Sequence, residues 1–191
     1  MAVESGVKKK LKTFICVIIA CVVIFWCGRI YSINSSCEDN VKIYKSGDSV
    51  NISGLEISCI DAGIYDVGEY KSRFRADSVN VLFPDDKIIC VCVNVKNISD
   101  CNLAWDFVLQ SMLGGFETVT WGSAIDFSAL QDVNEFEGEE LKAGDEKKVW
   151  CQTNLSQVSF SEHTWERVEE EGFYYVPVVE PVKIMMKLNL K

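Results

Sequence analysis

Ten residues near the middle of the chain, "IICVCVNVKN" (Ile88–Asn97), set the strongest constraint, because Ile89, Val91, Val93 and Val95 recur at every second position. Strand side chains alternate between faces, so this spacing predicts a β-strand that buries one apolar face. The same period runs through "SVNISGLEISCI", where Leu55, Ile57 and Cys59 share a face around a turn at Gly54. It recurs in "LAWDFVLQ", with Leu103, Trp105, Phe107 and Leu109 together. "LGGFETVTW" reads as a turn at Gly114–Gly115 followed by a strand, and "EKKVWCQTNL" and "VEPVKIMMKLNLK" supply two more strands. Short alternating runs separated by turn residues predict an all-β fold, an antiparallel β-sandwich. Only "SAIDFSALQDVN", Ser123 to Asn134, has helical spacing, with Ser123 as a cap and Asp126 three residues on.

Cys90 and Cys92 fall on the strand face opposite the valines, a face that continues into Asn94 and Lys96 and is expected to become solvated. Cysteines at i and i+2 stand parallel with Cα atoms roughly 6.5 Å apart, a poor geometry for a mutual disulfide. The C-x-C spacing, with His163 the one histidine of the chain, falls short of a zinc site, and no C-x-x-C occurs. The pair is read as strand residues, free or bridged elsewhere. Cys37, Cys59 and Cys151 on other segments, with Cys101, leave the pairing open.

A second pattern precedes the β region. Residues 1–12 carry Lys8, Lys9, Lys10 and Lys12 against Glu4, and "FICVIIACVVIFWC" (Phe14–Cys27) follows without a charge. Residues 13–31 approach the roughly 20 needed to span hydrocarbon, with Trp26 and Tyr31 suited to the interface and Arg29 able to snorkel. Lysines before the run and a lone arginine after it predict a single N-terminal transmembrane helix, a signal anchor. The basic tail would stay in the cytoplasm and the rest would lie outside. A cleaved signal peptide competes, but "WCGRIYSINSS" offers no A-x-A site. Lipidation at Cys27 is disfavoured by Phe25 and Trp26 before it. The division expected is a cytoplasmic tail 1–12, an anchor 13–31, a polar tether 32–49 and a sandwich domain 50–191.

The chain has 19 basic and 28 acidic residues. Setting aside Lys8, Lys9, Lys10, Lys12, Arg29 and Glu4 leaves 14 basic against 27 acidic, a net charge of −13 for the rest. Phosphate backbones would be repelled, which excludes nucleic acid as an expected partner. No hydrolase elbow, zincin, Walker or Rossmann pattern occurs, and His163 sits in the charged stretch "FSEHTWERVEEEG", so neither enzymatic activity nor a cofactor is expected. "QDVNEFEGEE" gathers Asp132, Asn134, Glu135 and Glu137, oxygen donors that make weak Ca²⁺ candidates without EF-hand spacing. "HTWERVEEEGFYYVPVVEP" mixes Trp165, Phe173, Tyr174 and Tyr175 with acids such as Glu170. Aromatic residues with a charged rim are typical of interfaces, so these five are the partner-binding candidates. Four N-x-S sequons occur, at Asn34, Asn51, Asn97 and Asn154.

Four segments, "VNISGLEISCIDAG", "VCVNVKNISD", "LKAGDEKKVW" and a last strand ending "VKIMMKLNL", resemble bacterial extracytoplasmic immunoglobulin-like domains of unassigned function. Such domains are found in Gram-positive anchored proteins and lipoproteins. In that group a V-x-V-x-V-K-N-x-S strand carries the core, and a turn like Leu141, Ala143, Gly144 and Asp145 precedes a later strand. The resemblance implies an immunoglobulin-like sandwich outside the membrane, with no catalytic residue to carry over. The function expected is a membrane-anchored binding domain with an envelope or membrane protein as partner. A sensor of a small ligand or Ca²⁺, and an immunity-type envelope protein, are the alternatives.

Overall fold

The computed structural model describes residues 17–33, 40–75, 81, 83–136 and 138–190. It divides into two units, residues 1–41 and 42–191. The first contributes helix α1, residues 17–33, exposed along its described length. Among the described residues no helix is long and apolar enough to cross a membrane, and Phe14–Cys16, the start of the apolar run, lies outside them.

The second unit is a sandwich of two sheets. One is built from β2 (Ser49–Ile52), β3 (Leu55–Asp66), β4 (Lys87–Asn97) and β9 (Glu146–Leu155), in that order. The other has the order β1-β11-β10-β6-β7, from β1 (Val41–Tyr44), β6 (Gly115–Glu117), β7 (Gly122–Ser123), β10 (Tyr174–Val178) and β11 (Lys183–Lys187). A ribbon pairs β5 (Leu103–Ala104) with β8 (Glu140–Leu141). β2 and β3 form a hairpin closed by Ser53 and Gly54, both at positive φ, as a two-residue turn requires. Ile57, Val91 and Val93 on one sheet and Phe116, Tyr175 and Met186 on the other share the main core. Each such side chain contributes roughly 1.5–3 kcal/mol by leaving water.

The alternating runs at β2–β3, β4 and β9 form strands where expected. Several expectations need correction. The stretch 32–49 is not wholly a tether, since β1 lies within it as the neighbour of β11. "LAWDFVLQ" is a strand only at its first two residues; Trp105–Gln110 is helix α3. Trp105, Val108, Leu109 and Met112, at i, i+3, i+4 and i+7, are its buried side, while Phe107 points outward. The expected helix after Ser123 is α4 (Phe127–Val133), capped by Asp126, whose Oδ1 accepts from the backbone N–H groups of Ser128 and Ala129. Ser123 belongs to β7 instead.

The face carrying Cys90 and Cys92 is also buried there, becoming half-exposed only at Asn94 and Lys96. The cause is α2 (Val67–Phe74), which lays Tyr70 and Phe74 over Tyr65, Ile88 and Cys90 to make a second, smaller core. At the edge of this sheet, Asn134 follows α4 and lines the free edge of β9. Its Oδ1 accepts from Trp150 N–H at 2.7 Å and its Nδ2 donates to Trp150 C=O at 2.8 Å. Asp126 N–H donates to Gln152 C=O along the same edge.

Asn97 joins the two motifs on which the family resemblance rests. It is fully buried, and its Nδ2 donates to the Cys101 carbonyl at 2.8 Å and the Leu141 carbonyl at 3.0 Å. Its Oδ1 accepts from Ser99 N–H and Ser99 Oγ. Its backbone N–H donates to Asp145 C=O, and its C=O accepts from Gly144 N–H. The end of β4 is thereby tied to the turn before β9. The sequon at Asn97 is closed by that burial, whereas Asn51 is exposed and Asn154 half-buried; Asn34 lies outside the described residues.

Candidate interaction surface

Three chain segments bring four aromatic rings into a row at one end of the sandwich. Trp121 closes the turn between β6 and β7, where Thr118 N–H donates to Trp121 C=O and Thr118 Oγ1 accepts from Trp121 N–H. Phe160 follows a 3₁₀ turn, Gln157–Ser159, at the end of β9. Trp165 ends the single turn of α5 (Glu162–Trp165), which Ser161 caps by accepting from Thr164 N–H. Phe173 precedes β10 and is fully buried. Ring centroids step from Trp165 to Phe160 (5.7 Å), to Trp121 (5.7 Å) and to Phe173 (5.9 Å), all within the 4.5–7 Å of favourable aromatic pairs.

The ladder runs from the core to the surface. Trp121, Phe160 and Trp165 are half-buried and pack against the main core, and the same loops leave Val119 and Val158 at 96% and 71% exposure. Contiguous exposed apolar patches rimmed by polar groups mark interaction sites. The charge is supplied by Glu162, Glu166, Glu170 and Glu171, all exposed. Glu169 is held by Lys87 at 2.6 Å, and Arg167 bonds the His163 ring at 2.7 Å. His163 is thus an exposed helix residue with a cationic neighbour.

The partner candidates separate on burial. Trp165 and Glu170 lie on this end, and Tyr174 is half-buried on β10, opposite Glu117 and Lys187. Phe173 and Tyr175 are fully buried, Tyr175 donating its hydroxyl to Met112 C=O at 2.6 Å, so neither can be part of a free partner surface. Trp121 is not legible as a site residue, because its alignment with Trp165 is tertiary, whereas Phe160 opens the same stretch as Trp165 and local spacing could have grouped the two. Of the Ca²⁺ candidates, Asp132 and Glu135 are exposed, Asn134 spends its carboxamide on Trp150, and Glu137 lies outside the described residues. Among the described residues no group of three or more His, Cys, Asp or Glu is placed to hold a metal ion.

The sheet register also decides the thiols. Cys59 lies opposite Val93, Cys90 opposite Gly63 and Gln152, Cys92 opposite Asp61 and Trp150, and Cys151 opposite Val91. No two of these four face each other, and a disulfide needs Cβ atoms within about 4.5 Å. All four are free and buried. Burial pushes the Cys59 and Cys151 thiols up to about 12 and Cys92 to about 11, and raises Cys90 as well. Since the thiolate is the reactive form, these groups are inert in the folded state. Brief treatment of the native chain with a maleimide at neutral pH should therefore label exposed Cys101 and spare Cys59, Cys90, Cys92 and Cys151 until denaturant is added. Peptide mass spectrometry reads this out; disulfides among the four, or labelling as fast as Cys101, would contradict it.

The second unit is therefore a β-sandwich domain with an open aromatic end. No family model matches the chain, and no curated protein does. Among solved structures it is similar to a conserved hypothetical protein from Bacillus anthracis, at 13% identity and a TM-score of 0.45, over 74% of this chain and 94% of that one. It is also similar to an uncharacterized β-sandwich protein from Clostridium difficile (10%, TM-score 0.44, 78% and 95% covered). A third is the yjhA protein from Bacillus subtilis (10%, TM-score 0.39, 76% and 99%).

Proposed function

We propose that this chain is a membrane-anchored, extracytoplasmic interaction protein whose partner surface is the open aromatic end of an immunoglobulin-like sandwich. The observation that carries this reading is the ladder Trp165–Phe160–Trp121, half-buried, with exposed Glu162, Glu166, Glu170 and Glu171 in the segment that carries Trp165. Anchoring rests on the lysines ahead of the apolar run, and the fold subclass on the two motifs joined at Asn97. No enzymatic activity is proposed; four buried thiols held protonated and an exposed histidine beside Arg167 favour a binding role.

A photo-crosslinking residue placed at Glu170 of the full chain, in cells, should capture one defined protein, and Trp165→Leu should abolish that capture. A crosslinker at Glu56, exposed on β3, should not capture it. Equal capture from both positions, or none from Glu170 in a folded protein, would overturn the reading. Protease added to spheroplasts should digest residues 42–191, and protection of that unit would overturn the topology.

A further inference from the structure

We infer that the aromatic end accepts a cationic, arginine- or lysine-bearing segment of a protein partner, an inference that rests on the interaction reading above. Segment 161–172 carries five glutamates, Glu162, Glu166, Glu169, Glu170 and Glu171, against one arginine, Arg167. Lys87 neutralises Glu169. Among the described residues the other four carboxylates have no ion-pair partner, and all are exposed. Trp165 lies between Glu162 and Glu166 in the chain, and its half-buried ring continues the row through Phe160 to Trp121. A guanidinium over an aromatic face, with carboxylates within reach, gains both the ring quadrupole and a charge-assisted hydrogen bond. The same chain already uses the first of these contacts elsewhere, with Arg73 at 5.1 Å from the Tyr65 ring centroid and 5.8 Å from that of Phe74.

The other occupants fit less well. A second copy would have to bring the same glutamate rim against itself, since a two-fold contact pairs like with like. Both copies would also carry the −13 excess. Anionic lipid and nucleic acid are repelled for the same reason. A neutral oligosaccharide could stack on the rings but would leave the four carboxylates unused.

The test uses the full chain and a defined probe, a twelve-residue peptide alternating arginine and serine, followed by calorimetry. A peptide with citrulline in place of every arginine keeps shape and loses charge. We expect the arginine peptide to bind and the citrulline peptide not to. Trp165→Leu, which leaves net charge unchanged, should weaken binding about fivefold or more. Glu166→Gln with Glu170→Gln, both exposed and tolerated by the fold, should weaken it further and flatten its salt dependence. Arginine-peptide binding indifferent to Trp165→Leu would mean general attraction to an acidic protein and would overturn the inference. Binding of cellohexaose that Trp165→Leu abolishes, or a dimer at micromolar concentration that the same variant dissociates, would also overturn it. If crosslinking at Glu170 captures a defined protein whose captured segment lacks basic residues, the interaction reading stands and this inference falls.

Discussion

Asn97→Ala lowers the thermal midpoint of the sandwich by roughly 6–12 °C, equivalent to about 3 kcal/mol for a domain of this size. The replaced carboxamide makes four hydrogen bonds, and its two donor bonds reach the Cys101 and Leu141 carbonyls. Leu141 is itself buried, so its carbonyl would lose a partner that water cannot replace cheaply. Asn97→Asp should cost as much as alanine, because a carboxylate in the same position would face two carbonyl oxygens with no donor. Asn102→Ala is the control. Its exposed side chain bonds Glu140 and Ala143, and the change should stay within about 0.5 kcal/mol. Scanning calorimetry of the three variants decides the matter; an unchanged midpoint for Asn97→Ala would show that the junction of the two motifs contributes nothing.

A comparable loss is expected from Gly114→Ala, at least about 3 kcal/mol, the upper range for overpacking. Gly114 leads into β6, which runs flat against β10 with Gly115 opposite Val176, and its N–H donates to Pro177 C=O. A methyl group at Gly114 would be driven into the Val176 carbonyl. Main-chain atoms of a central strand cannot swing aside as the tip of a lysine can, so β6 and β10 must separate. Gly172→Ala, in open space before Phe173, should cost far less. Urea unfolding followed by tryptophan fluorescence would compare them, and equal midpoints would refute the argument.

The sequence showed most clearly those strands whose one face meets the core and whose pattern no other element imitates. β4 alternates strictly because Ile89, Val91, Val93 and Val95 all point into the space between the sheets. α3 misled because Trp105 and Leu109 satisfy both periods, and the deciding residues, Val108 and Met112, are apolar positions that the strand reading sets aside. α2 went unseen although Val67, Tyr70 and Phe74 keep helical spacing, since polar residues separate them over barely two turns. Without α2, the sequence leaves the Cys90 face open to water, and the helix is what covers it. At the candidate surface, Trp165 and Glu170 could be found because acids and aromatics crowd one segment. Trp121 comes from the β6–β7 turn, and only the closing of the sandwich sets its ring in line with Phe160, which already stands beside Trp165 in the same stretch.

The hydrogen bonds along β9 bear on whether copies of this protein can join edge to edge. An outer strand of ten residues with bare amides invites its counterpart on a neighbouring molecule to zip alongside, and sheets that extend in this way end as insoluble polymer. Here the Asn134 carboxamide imitates one residue of such an intruding strand, occupying both main-chain groups of Trp150, and Asp126 takes the Gln152 carbonyl. Lys147 and Lys148 place charge at the other end of the same edge. Over this part of β9 a neighbouring strand would find those main-chain groups already taken, so contact through this stretch of the edge is left to side chains.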